Sequence, residues 1–222
     1  MKTLKNTVLI TGGYSSRGIS LAKLFTQAGN HVIITGRHQK KLDYVQRQLK
    51  DSTAIAFNAC CEQSTRNFIE TIKKDFPRLT TFINNPVSSE DFWVYLPEKT
   101  ILNDYLSGPK ALEGLLPLLL GQKTATIIDL LPVIDPFLKN NNLEITIKET
   151  IKTYSQSLSY KLKGNPSIKI TGEVVNEVLQ TNTIVSSFFQ SIFNSPRQEQ
   201  TGISKNYNSS FNEYADWEPF FP

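Results

Sequence analysis

Thr11, Gly12, Gly13 and Gly18 stand between two apolar runs, Val8-Leu9-Ile10 and Val32-Ile33-Ile34. That spacing points to anion binding. Where side chains are missing at a strand-to-helix turn, backbone N–H groups and the positive end of a helix can approach a pyrophosphate. A glycine turn alone says little; placed after a strand, before a helix and inside a unit of about 30 residues, it says more. Other chemistry-bearing residues are sparse. His31 and His38 are too isolated in the sequence for a triad or ligand set. Cys60 and Cys61 are adjacent and lack a second pair, so no metal site is expected, and both read as buried or half-buried thiols.

The turn belongs to a strand, helix and second strand over residues 7–37, with Ile19, Ala22, Leu24 and Phe25 on the sheet-facing side of a helix that ends near Gly29. Continuous apolar runs are what parallel strands covered on both faces require. Further on, helices read at 39–49 and 63–76 and strands at 53–58, 80–85, 124–131 and 168–175. Over 99–120 a helical spacing of leucines predicts a long helix, which Gly108 and Pro109 should kink or interrupt and Pro117 should strain near its end. Ile147, Ile151, Tyr154, Leu158 and Leu162 form a second helical stripe, stopped by Gly164 and Pro166. A short helix around 185–193, a strand near 200–204 and an aromatic tail over 206–222 complete the chain. The alternation predicts a single α/β domain, 1–222, with a doubly wound parallel sheet of about seven strands and helices on both faces.

Composition narrows the function. With 222 residues, 39% hydrophobic and 20% charged, the chain is of ordinary globular make-up. A formal charge of +4, scattered along the sequence, does not imply nucleic acid. No secretory core or membrane-length apolar span is read, and the expected location is the cytoplasm.

TGGYSSRG, ITGR, INNP, the asparagine of ILNDYLSGP and KETIKTYSQSLSYKLKG together resemble the short-chain dehydrogenase/reductase family. The likeness is closest to the branch of the oxidoreductase of the D-alanyl-lipoteichoic acid cluster. It implies a Rossmann domain with a nucleotide-binding half at 1–90 and a catalytic half at 91–205, NAD(P)-dependent hydride transfer, and dimers or tetramers. The cofactor contacts it implies here are Thr11, Gly12, Gly13, Ser15, Ser16, Gly18, Arg37, Asn58 and Asn85. Arg37, at the end of the second strand where an acid would mark NAD, favours the 2′-phosphate of NADP(H). Ser16 replaces a glycine, Arg17 an aliphatic residue, and Pro86-Val87 an Ala-Gly pair, so cofactor binding is expected to be weak or absent. Val175-Asn176 replaces a Pro-Gly turn beside the nicotinamide.

The catalytic set departs further. Asn103 and Lys148 match the family's asparagine and lysine, but the tyrosine position holds Glu144 and the serine position falls on Leu131 or Pro132. A carboxyl beside an ammonium stays ionised, so Glu144 reads as an i, i+4 partner of Lys148 rather than a proton donor. Losing a positioned acid costs roughly 10²- to 10⁴-fold. The expectation is a pseudoenzyme serving as subunit or partner of itself or an active relative. It would pair through helices near 103–120 and 146–163, with Leu119 and Ser155 as outward positions. Two alternatives stay open: an NADPH-dependent reductase with a displaced acid at Tyr154 or Tyr160, and a redox sensor that binds NADPH.

Overall fold

The computed structural model describes residues 6–86, 98–131, 153–154, 157–158, 160–162 and 168–174. The strands are β1 (Thr7–Ile10), β2 (His31–Gly36), β3 (Ser52–Ala56), β4 (Leu79–Asn84), β5 (Ala125–Leu131) and β6 (Ile168–Val174). The helices are α1 (Ser16–Gln27), α2 (Gln39–Gln46), α3 (Glu62–Asp75) and α4 (Glu98–Leu120). Residues 153–154, 157–158 and 160–162 are helical as well.

All strand pairs are parallel, in the order β3-β2-β1-β4-β5-β6. β1 therefore sits inside the sheet, and the chain reverses its direction of winding between β1 and β4. The seventh strand, read near 200–204, lies outside the described residues, as do the helix at 185–193 and the tail.

Alternate residues of the same strands feed two cores, which is why the strands read as unbroken apolar runs. Val8, Ile10, Val32, Ile34 and Ile83 face Leu21, Ala22 and Phe25 of α1 and Leu42 and Val45 of α2. Leu9, Ile33, Phe82 and Ile127 face Phe68 and Ile72 of α3, Leu112, Leu115 and Leu119 of α4, and Leu158 and Leu162.

Two expectations about α4 are corrected. The helix runs unbroken from Glu98 to Leu120, with Pro109 and Pro117 inside it. Gly108 acts through its missing side chain: a Cβ there would collide with the Asn84 side chain. It is a point of close approach between helix and strand, not a break. Leu119 is fully buried in the chain's own core, so it is no outward position. Leu115 and Leu116 are buried alongside it, and half-buried Leu118 and Leu120 pack against the same core. No helix among the described residues is long and apolar enough to cross a membrane.

Candidate nucleotide site

Because every strand points the same way, the C-terminal ends of β1, β2, β3, β4 and β5 share one edge. Ligands of such sheets bind there, at the crevice where the winding reverses. The β1–β4 junction is closed by a set of short bonds. Thr11 N–H donates to Ile83 O at 3.0 Å, Thr11 Oγ1 donates to Asn84 Oδ1 at 3.2 Å, and Asn85 N–H donates to Thr11 Oγ1 at 2.8 Å.

The turn after β1 is shaped by what it must pass. Gly12 has φ +60, the left-handed region, and a Cβ on it would strike Asn85 O. Gly18 lets the start of α1 close against Gly12 O. Gly13 N–H donates to Thr35 O at 2.9 Å, tying the turn to β2. Ser15 is the N-cap of α1: its Oγ accepts from Gly18 N–H at 3.0 Å and donates to Gly12 O at 2.8 Å. Asn85 Nδ2 donates to both Gly12 O (3.2 Å) and Ser15 Oγ (3.1 Å). Ser16 opens α1 and is exposed. No carboxylate lies in that first turn to repel an anion.

Arg17 is buried, 7% exposed. Its Nε donates to Asn85 Oδ1 at 2.6 Å and its Nη2 to Pro86 O at 3.0 Å. The guanidinium thus fastens the start of α1 to the chain leaving β4. Sequence reading marked Arg17 as a replaced aliphatic residue and missed this clamp. An arginine inside a glycine turn, with an Asn-Asn-Pro at the next strand's end, was the available signal.

A second missed residue is Tyr14. Its ring lies against Gly36, 5.9 Å from the His38 ring, with Lys41 Nζ 5.4 Å from its centroid. Half-buried Arg37 leaves β2 beside them. Burial first, then the charges of Arg37 and Lys41, hold His38 below the usual histidine pKa. This corner is cationic and aromatic, which suits a phosphate on a nucleoside.

Asn58 sits just past β3, exposed. Its Oδ1 accepts from Cys60 N–H at 3.0 Å, and its own N–H donates to Ser64 Oγ at 2.9 Å. An amide oxygen has two lone pairs, so a second donor can still be accepted. Cys60 and Cys61 are both exposed, which corrects the expectation of buried thiols.

The structure thus brings Thr11, Gly12, Gly13, Ser15, Ser16, Gly18 and Asn85 to one crevice, with Arg37 and Asn58 at the ends of the neighbouring strands. Leu131 is the last residue of β5, paired with Val174, and lies two positions beyond Asp129, which is level with Asn84. Asn103 lies in α4, five positions before Gly108, or about 7.5 Å along the axis from the contact with Asn84. Pro132, Glu144 and Lys148 lie outside the described residues, as do Val87, Val175 and Asn176. Of the displaced-acid candidates, Tyr154 packs against the core and Tyr160 is 82% exposed.

His31 proves less isolated in space than in sequence. Its Nδ1 is 2.7 Å from Asp51 Oδ1 and its Nε2 3.0 Å from Thr53 Oγ1. The ring stacks on Phe76 at 5.5 Å. This cluster sits at the N-terminal edge of β2 and β3, opposite the crevice, and braces the two strands. Among the described residues no group of His, Cys, Asp and Glu could hold a metal ion.

Comparison with known proteins bears on the same residues. Residues 6–92 match the family model of short chain dehydrogenases. An oxidoreductase of Bacillus subtilis, DltE, is 35% identical over 85 residues, which is 38% of this chain and 34% of that protein. The chain therefore spans about a third of that relative's length in the match. An oxidoreductase of Staphylococcus epidermidis is 24% identical over 178 residues, covering 77% of this chain and 76% of the other. Among solved structures, a metagenomic short-chain oxidoreductase in complex with NADP superposes with a TM-score of 0.69 at 15% identity, over 90% of this chain and 94% of that one. Serine dehydrogenase from Escherichia coli gives 0.68 at 17%, over 89% and 94%.

Proposed function

We propose that the chain, whose residues 6–92 match the short chain dehydrogenase model, is a non-catalytic member of the short-chain dehydrogenase/reductase family. In this reading it retains a nucleotide crevice and works in the cytoplasm as a subunit or partner of itself or of an active relative. The observation that carries it is Leu131. The last residue of β5, on the crevice edge, is a hydrocarbon at one of the two positions where the family resemblance calls for a serine, and the other, Pro132, also lacks a hydroxyl. Neither side chain can hydrogen-bond a substrate carbonyl. Glu144 at the tyrosine position supports the same reading from the sequence.

The crevice residues fit a dinucleotide phosphate in kind. The turn from Gly12 to Gly18 would hold the pyrophosphate, Arg37 with Lys41 and His38 the 2′-phosphate, and Asn58 the adenine amino group. A bound NADP(H) would supply hydride chemistry. The residues of this chain would bind and orient it without a placed acid.

The test is steady-state NADPH oxidation across ketones and aldehydes. No rate above background is expected. Turnover that disappears in Lys148→Met, with the fold intact, would overturn the non-catalytic reading and favour a reductase with a displaced acid. A second reading, an NADPH-binding redox sensor, is favoured by the free thiols beside Asn58. It would be marked by nucleotide binding without turnover.

A further inference from the structure

Cys60 and Cys61 are neighbours in the chain, both free and both exposed. Cys61 holds the N-cap position of α3, yet its side chain makes no capping bond. The peptide N–H groups of the pair are both committed to one residue: Cys60 N–H donates to Asn58 Oδ1 at 3.0 Å and Cys61 N–H to Asn58 O at 3.0 Å. Two uncommitted thiols and the candidate adenine contact therefore share a single turn.

We propose that Cys60 and Cys61 form a dithiol switch that exchanges with low-molecular-weight disulfides and, on closing into a disulfide, remodels the turn that carries Asn58. The exchange balances. One cysteine thiolate attacks a sulfur of the external disulfide, forming a mixed disulfide and releasing one thiol. The second cysteine attacks the protein-side sulfur, closes the ring and releases the other thiol. Two electrons pass from the protein dithiol to the reagent, and the two cysteine protons end on the released thiols.

Distance makes the closure a conformational event. A trans peptide holds adjacent Cα atoms about 3.8 Å apart, whereas disulfides favour about 4.4–6.8 Å. Every trans peptide keeps that spacing, so the ring closes only by twisting the torsions of residues 60 and 61 and of the peptide between them, at a cost in strain. Both bonds to Asn58 depend on the peptide N–H groups that move. A strained, exposed disulfide is also readily reduced, as a reversible device requires. The consequence for nucleotide affinity rests on the crevice reading proposed above; the exchange and the turn shift do not.

The experiment uses the full chain, reduced and then incubated with glutathione disulfide. Intact mass should show loss of two hydrogens and no retained glutathione, while Cys60→Ser and Cys61→Ser should each retain one glutathione for want of the second thiol. Amide hydrogen exchange at residues 60 and 61 should quicken in the oxidised chain and return on reduction. Wild-type chain that stays unreacted, or that accumulates glutathione without closing, overturns the switch. So does a closed ring with unchanged exchange. Calorimetry with NADPH on the two forms separates the readings: at least tenfold weaker binding to the oxidised form supports the link to Asn58, and equal binding overturns that link. Absence of binding to both forms overturns the crevice reading, with the mass and exchange results still deciding the switch.

Discussion

A guanidinium taken almost wholly out of water must find hydrogen-bond acceptors inside the protein, and Arg17 finds them on Asn85 and Pro86. Hydrogen bonds to charged groups are worth about 1.5–3 kcal/mol each. Arg17→Met should therefore destabilise the chain by about 1–3 kcal/mol, read from urea midpoints at unchanged m-value. In a double-mutant cycle with Asn85→Ala, the two losses should fall short of adding by more than about 0.5 kcal/mol. Strict additivity would mean that the 2.6 Å contact contributes nothing.

His38 makes a sharper residue-scale prediction because its charge is conditional. In the free chain, burial and the charges of Arg37 and Lys41 lower its pKa from 6.5, so it is neutral at pH 7. A 2′-phosphate at this corner would reverse that balance, and binding would take up a proton. NADPH affinity should then gain on NADH affinity as the pH falls from 8 to about 6. The phosphate's own second ionisation, near 6, works the other way, so His38→Gln is the needed control. Calorimetry should show the gain in wild type and not in the variant, while Arg37→Ala should weaken NADPH selectively at every pH.

At the scale of elements, Gly108 sets two known effects against each other. Alanine in a helix interior is favoured over glycine by about 1 kcal/mol, but overfilling a packed contact costs about 1–3 kcal/mol. The neighbour here is the Asn84 side chain, itself buried and bonded to Thr11, so it cannot simply swing away. Gly108→Ala should lower the melting temperature, and a rise would show that α4 has room to spare over β4.

The same position explains what the sequence could and could not disclose. Val8 to Ile10 and Val32 to Ile34 announced covered parallel strands because their apolar pattern is local and continuous. Gly108 was misread because its partner is 24 positions away and only the packing of helix on strand reveals it. Arg17 and Asn85 are 68 positions apart. A replaced family residue was legible there, the clamp was not. Exposure of Cys60 and Cys61 was missed for a related reason: composition favours burial of cysteine in general, whereas a turn at a helix start decides it here.

For the molecule as a whole, the pairing through α4 must reckon with the fact that Leu112, Leu115, Leu116 and Leu119 already belong to the chain's own core. Leu119 lies within that core, so Leu119→Asp should unfold the chain rather than split an oligomer. Beyond the buried leucines, α4 presents Lys110 and Glu113, and the helical residues 153–154, 157–158 and 160–162 present Thr153, Ser157, Tyr160 and Lys161. Lys161 Nζ bonds Glu113 Oε1 at 3.2 Å, joining the two helices along this face. The large exposed hydrophobic on it, among the described residues, is Tyr160, at 82%. Stable interfaces bury on the order of 1,600 Å² around a few aromatic or arginine anchors. Among the described residues, Tyr160 is the anchor a partner docking here would find, within a largely polar surround. If the proposed pairing through these helices holds, sedimentation should show a dimer at micromolar concentration or a complex with an active relative, and Tyr160→Glu should dissociate it with the circular dichroism unchanged. A chain that stays monomeric alone and beside such a relative would remove the subunit reading and leave the nucleotide crevice as its functional surface.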